Sequence, residues 1–127
     1  MPMVMVVDDV PVIRETIAKL LRYEGFETVC AANGVEALGH LRTCDPDVVL
    51  LDIMMPEMDG MQLLANLRSQ PRWRNMPVIL MSALSDDGHQ SQAEQLGANE
   101  YLVKTQFNAM HILKSIRRFT EKKDTTN

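Results

Sequence analysis

Cysteine, excess positive charge and long apolar runs are all scarce in this chain, and each shortage removes a class of function. The 127 residues include 2 cysteines, Cys30 and Cys44. They are too few for a disulfide framework and lack the spacing of a zinc site. Both are expected to be reduced thiols, with Cys30 in a strand. Lys+Arg 13 against Asp+Glu 17 gives a net charge of -4. That argues against direct contact with nucleic acid, which calls for a basic face. The one basic cluster, Arg117-Arg118 with Lys122-Lys123, reads as charge bias at a helix C-terminus running into a solvated tail. No apolar stretch is long enough to cross a bilayer. The first residues lack the basic start and long apolar core of a secretion signal, so the expected location is the cytoplasm, with no membrane partner. Repeats, low-complexity linkers and a second compositional regime are also missing. One domain is therefore expected over residues 1–120, followed by a polar tail over 121–127.

What is present is an ordinary globular composition, 46% hydrophobic and 24% charged, arranged in alternation. Short apolar runs at residues 4–7, 28–31, 48–51, 78–81 and 101–103 read as strands. The unbroken run at 48–51 suits a strand covered on both faces. Helical stripes separate them. Ile13, Ile17, Leu20 and Leu21 line the first, with Pro11 in its first turn and Gly25 beyond its end. Val35, Leu38 and Leu41 line the second. Met61, Leu64 and Leu67, with Leu63 alongside, line the third. Residues 85–96 form a mostly polar fourth, weakened by Gly88. Residues 107–119 form the last, with Ile112, Leu113 and Ile116 inward. Pro71 and Pro77 bracket a polar connection that holds Trp73. The ten methionines are mostly core filler. Strand–helix alternation over this length means one α/β domain with a parallel sheet.

The chemistry sits at the strand ends. Asp8 and Asp9 follow the first run, Asp52 the third, Ser82 the fourth and Lys104 the fifth. In a parallel sheet these ends share one edge, where ligands of such folds bind. Taken singly, each has an ordinary explanation. An aspartate after a strand caps the next helix, a serine there forms a turn, and a lysine is a solvated charge. Capping needs only one of Asp8 and Asp9, however. A cluster of carboxylates repels itself unless a cation sits in it, and a hard cation such as Mg²⁺ prefers oxygen donors. A carboxylate is also a nucleophile toward phosphorus. Phosphoryl chemistry beside a metal, a hydroxyl and an ammonium is the reading of the set as a whole.

The segments Val6-Val7-Asp8-Asp9, Leu50-Leu51-Asp52-Ile53-Met54-Met55-Pro56-Glu57-Met58-Asp59-Gly60, Met81-Ser82-Ala83 and Gly97-Ala98-Asn99-Glu100-Tyr101-Leu102-Val103-Lys104 resemble the receiver domain of two-component response regulators. The likeness runs from about Met3 to Phe119. It implies a doubly wound five-stranded parallel sheet of order 2-1-3-4-5, with helices on both faces. It implies Asp52 as phosphoacceptor, and Mg²⁺ (or Mn²⁺) held by Asp9, by Asp8 directly or through water, by Asp52 and by the Met54 carbonyl. Ser82 and Lys104 are implied to take phosphoryl oxygens, Ala83 to leave room for the group, and Tyr101 to be a switch that turns inward as Ser82 moves. The implied donor is a histidine kinase or a histidine phosphotransfer protein. The implied output is an effector protein or a covalently linked output domain. A weak homodimer through the last two elements stays open, with nothing in the sequence to support it.

The chain departs from the family pattern in three places. Thr105 stands where the family has a proline, often with a cis bond; a non-proline cis bond is costly, so a trans or strained bond is expected after Lys104. Met54 and Leu84, at the positions the resemblance links to hydrolysis rate, are apolar and cannot orient water, so a slowly hydrolysing phosphoform is expected. Ser82 replaces the commoner threonine, with little expected effect. Two other classes compete. A haloacid-dehalogenase-like phosphatase needs a second aspartate two residues after the nucleophile, where this chain has Met54. A degenerate receiver, acting only as an interaction module, does not need Asp8, Asp9, Asp52, Ser82 and Lys104 all intact. A flavin site is disfavoured because no phosphate-cradling loop follows the first strand.

Overall fold

The computed structural model describes residues 1–53, 55, 58–82, 87–103 and 109–121, with backbone alone for 87–89. The expectations for Met54, Ala83, Leu84, Lys104, Thr105 and the tail from 122 lie outside the described residues.

Five strands and five helices alternate: β1 (Met3–Val7), α1 (Pro11–Tyr23), β2 (Glu27–Ala31), α2 (Gly34–Leu41), β3 (Val48–Asp52), α3 (Gly60–Arg68), β4 (Val78–Ser82), α4 (Asp87–Gln95), β5 (Glu100–Val103) and α5 (Ala109–Thr120). All pairings are parallel, in the order β2-β1-β3-β4-β5. The strands at the centre are the most apolar. Every residue of β3 and β4 is buried, whereas the edge strands β2 and β5 are largely half-exposed.

Side chains of successive strand residues point to opposite faces, and the core divides accordingly. Met5, Val7, Val49, Leu51, Val78 and Leu80 pack with α2, α3 and Ala93 of α4. Val4, Val6, Val48, Leu50, Ile79 and Met81 pack with α1 and α5. Burying each large aliphatic side chain contributes about 1.5–3 kcal/mol. The sheet therefore has stabilisation in hand to offset charged groups at its edge.

Several local expectations need adjustment. On α2 the buried residues are Gly34, Ala37 and Leu41, and Val35 is exposed. The small residues face inward because Met58 lies against the helix start: a Cβ on Gly34 would stand 2.9 Å from the Met58 sulfur. Trp73, in a connection that is otherwise polar, is buried. Asp59 is an N-cap: its carboxylate accepts from Gln62 N–H at 2.9 Å, and Gln62 Oε1 accepts from Asp59 N–H at 3.0 Å. Such a cap contributes about 1 kcal/mol. Both cysteines are free. Burial, helped by the Asp45 carboxylate, pushes the Cys44 thiol above its ordinary pKa, which keeps it protonated.

At the edge opposite the strand C-termini, Arg68 ties α3 to the end of α4. Its guanidinium donates to Gly97 O at 2.9 Å, to Trp73 O at 2.9 Å and to Asn99 Oδ1 at 3.1 Å. Gly97 has φ +95°, and a Cβ there would meet Arg68 Nε at 3.0 Å. Gly39, inside α2, has nothing within 4 Å of an added Cβ. Gly97→Ala is expected to lower the unfolding free energy by about 1–3 kcal/mol. Gly39→Ala is expected to raise it by about 0.4–1 kcal/mol. Urea denaturation of both variants checks the pair.

Candidate functional site

The strand order assembles the site. With β1 and β3 adjacent and Val7 opposite Leu51, the next residue on each strand, Asp8 and Asp52, comes to the same level of the sheet edge. This is the point where the winding reverses, β2 lying to one side of β1 and β3 to the other, and it leaves a crevice beyond the strand ends. On the other side of β3, Asp52 pairs with Met81 and Ser82 ends β4. Register thus sets Asp8, Asp52 and Ser82 at one edge of the sheet, and Asp9 follows Asp8.

The carboxylates of Asp8, Asp9 and Asp52 each offer an oxygen within 4.8 Å of the others. Asp8 is 0% exposed and Asp52 3%; Asp9 is half-exposed. Two like charges about 4 Å apart near a protein surface repel by about 4 kcal/mol. A third carboxylate compounds that cost, and a divalent cation reverses its sign. The donors are all hard oxygens, partly open to solvent through Asp9, which suits an ion that retains water, as Mg²⁺ does. The donor set therefore fits such an ion.

Capping is not what the acidic pair does. The N-cap of α1 is Val10, with no side-chain cap bond. Asp8 is instead held from several directions. Its N–H donates to Ala31 O at 3.1 Å, its Oδ1 accepts from Val10 N–H at 2.9 Å, and its main-chain oxygen accepts from Arg14 Nη1 at 2.8 Å. Sequence reasoning passed over Arg14. Its only signal is position, a cation on the first turns of the helix that follows the paired acids.

A family model of the response regulator receiver domain matches residues 4–117. The chain belongs to the response regulator receiver family. Among curated relatives, the receiver is 41% identical over 101 residues to the regulatory protein AtoC of Escherichia coli, covering 80% of this chain and 22% of that protein. It therefore spans about a fifth of AtoC. The chemotaxis protein CheY4 of Vibrio cholerae superposes with a TM-score of 0.88 at 30% identity, over 94% of this chain and 98% of that one. The receiver domain of a Pseudomonas aeruginosa sensor histidine kinase superposes with a TM-score of 0.84 at 27% identity, over 93% of this chain and 96% of that one. Its structure has a magnesium ion coordinated in the active-site cleft.

Two further features of the receiver shape the site. Register places Tyr101 opposite Leu80 and Val103 opposite Ser82, so Tyr101 and Ser82 belong to the same sheet face, one pair apart. Ser82 is 0% exposed and Tyr101 half-buried. Gly60 lets the start of α3 close onto the end of β3. A Cβ there would collide with the Asp52 carbonyl oxygen and lie 2.8 Å from Ile53 Cα, while Gly60 N–H donates to Ile53 O at 2.9 Å. Backbone cannot yield as a flexible side chain does. Gly60→Ala is expected to cost about 1–3 kcal/mol of stability, read by denaturant titration, and to weaken Mg²⁺ binding, read by calorimetry. A variant with unchanged stability would contradict this contact.

Proposed function

We propose that this receiver takes a phosphoryl group onto Asp52 and passes the signal on by altering a partner-binding face. The single observation that carries the reading is the convergence of Asp8, Asp9 and Asp52 at one sheet edge, two of them buried. Three carboxylates brought this close are stabilised by a cation among them. The donor is a phosphohistidine of a histidine kinase or a histidine phosphotransfer protein.

In the step itself, a carboxylate oxygen of Asp52 attacks phosphorus in line. The new O–P bond forms as the P–N bond to the donor imidazole breaks, and the nitrogen departs with the electron pair. Asp8, Asp9, Asp52 and the Met54 carbonyl would hold Mg²⁺, whose charge offsets that of the incoming phosphoryl oxygens. The aspartyl phosphate replaces one negative charge by roughly one and a half to two. Ser82, at the end of β4, donates its hydroxyl to one of the new oxygens, and Lys104 supplies its ammonium to another. Movement at Ser82 opens room on the face it shares with Tyr101, and the phenol turns inward. The surface of α4, β5 and α5 changes with it. The two conformations differ in population, and the size of the shift is set by how differently each holds the phosphoryl group.

The output is an effector protein or a linked output domain, and the site of action is the cytoplasm. The unit that switches is residues 1–120. Among the described residues no helix is long and apolar enough to cross a membrane, and the full set of acids favours this reading over that of a degenerate receiver.

The test is incubation with Mg²⁺ and a small acyl phosphate, followed by intact-mass analysis. The expected result is a phosphoryl adduct on the wild type, none without Mg²⁺, and none on Asp52→Asn. An adduct formed equally on both proteins overturns the assignment of Asp52.

A further inference from the structure

α1 begins differently from its neighbours. α2 and α3 start at Asn33 and Asp59, each accepting a main-chain N–H with its side chain. α1 starts at Val10, which has no cap to offer and is extended at φ -91°, ψ 110°. Arg14 holds the first turn to the end of β1 instead. Its Nη1 donates to the main-chain oxygen of Asp8 at 2.8 Å. Its own N–H donates to Val10 O at 2.9 Å, and Val10 N–H donates to Asp8 Oδ1 at 2.9 Å. These bonds close a loop through Asp8, Val10 and Arg14, with Asp9 inside it. A change in the Asp8 peptide plane therefore moves both carboxylates, because the Asp8 carbonyl leads directly into Asp9.

We propose that Arg14 is a positioning residue for the metal site, acting through the Asp8 carbonyl to present the Asp8 and Asp9 carboxylates to Mg²⁺. The proposal rests on the reading of the acidic cluster given above. The competing account, in which Arg14 acts as a charge alone, predicts the opposite sign. A guanidinium stays protonated, so its charge opposes a cation bound nearby. On that account its removal tightens Mg²⁺ binding. If Arg14 instead orients the ligands, its removal weakens binding, because groups that orient metal ligands contribute to affinity without touching the metal. The wider helix is anchored elsewhere, by Ile17, Ala18 and Leu21 in the core and by the Glu24–Arg117 ion pair at 2.9 Å. Loss of the Arg14 tether thus acts locally.

The experiment is calorimetric titration of the whole chain with MgCl₂ at constant ionic strength, for wild type, Arg14→Met and Arg14→Lys, with thermal melting in EDTA alongside. Arg14→Met is expected to raise the Kd for Mg²⁺ by roughly tenfold. Arg14→Lys, which keeps one charged donor but loses the planar fork, falls between. At saturating Mg²⁺ the rate of phosphorylation by a small acyl phosphate returns to near the wild-type value, as a pure binding defect requires. A Kd for Arg14→Met at or below that of wild type overturns the proposal and leaves the reading of the acidic cluster standing. A wild type that binds no Mg²⁺ overturns both. Should Arg14→Met fail to fold, Arg14→Lys decides: a Kd above wild type supports the tether, and one at or below it removes it.

Discussion

Mutual repulsion among three carboxylates is the constraint around which the rest of the molecule is arranged. Asp8 and Asp52 are buried at the ends of neighbouring strands, and Asp9 stands beside them. The N-cap of α1 is Val10 and not an aspartate, and water solvates two of the charges poorly. The arrangement persists because strands β1, β3 and β4 are apolar along nearly their whole length and packed on both faces. A rigid sheet holds groups together that would otherwise separate. In the proposed function, cation binding and phosphoryl transfer both draw on that enforced proximity.

Each device around the edge serves the same end. Gly60 lets α3 approach the Asp52 backbone more closely than any side chain would allow. The Asp59 capping box starts that helix without recruiting Asp52. Arg14 and Val10 fix Asp8 by its carbonyl and one carboxylate oxygen. On the far edge, Arg68 fastens α3 to Gly97 and Asn99, at the start of the β5 segment. The fixed edge and the chemical edge are thus at opposite ends of the same strands. α4 lies between them, and Ala93 is its one fully buried side chain among those described. Among the described side chains, α4 has the fewest buried of the five helices.

Much of this was legible in the sequence, for identifiable reasons. A strand buried on both faces cannot alternate, so the runs ending at Asp52 and Ser82 announced themselves. The ladder only lengthened each by one residue, bringing the polar residue into the strand itself. Ile112, Leu113 and Ile116 fell on one stripe and are buried as expected. The convergence of Asp8, Asp9 and Asp52 followed from parallel pairing, which also sets Ser82 at the end of the neighbouring strand. What failed was local and steric. Val35 looked like a core residue, but the space is taken by Met58 against Gly34, and small residues turn inward. Trp73 has no periodic neighbours, so its burial has no sequence signature. Arg14 carries a bond to a main-chain oxygen, and side-chain to backbone bonds leave no pattern of residue types behind. The strand order and the switch role of Tyr101 came from the resemblance and not from periodicity; the comparisons and the sheet bear out the first.

The most direct test of the central constraint is the unfolding free energy in urea, with EDTA and with saturating Mg²⁺, for wild type and Asp52→Asn. If enforced repulsion defines the site, Asp52→Asn is more stable than wild type in EDTA. Mg²⁺ then stabilises the wild type, by about 2.7 kcal/mol at a hundred times its Kd, and stabilises the variant far less. A variant less stable than wild type in EDTA, together with a wild type indifferent to Mg²⁺, would contradict the account.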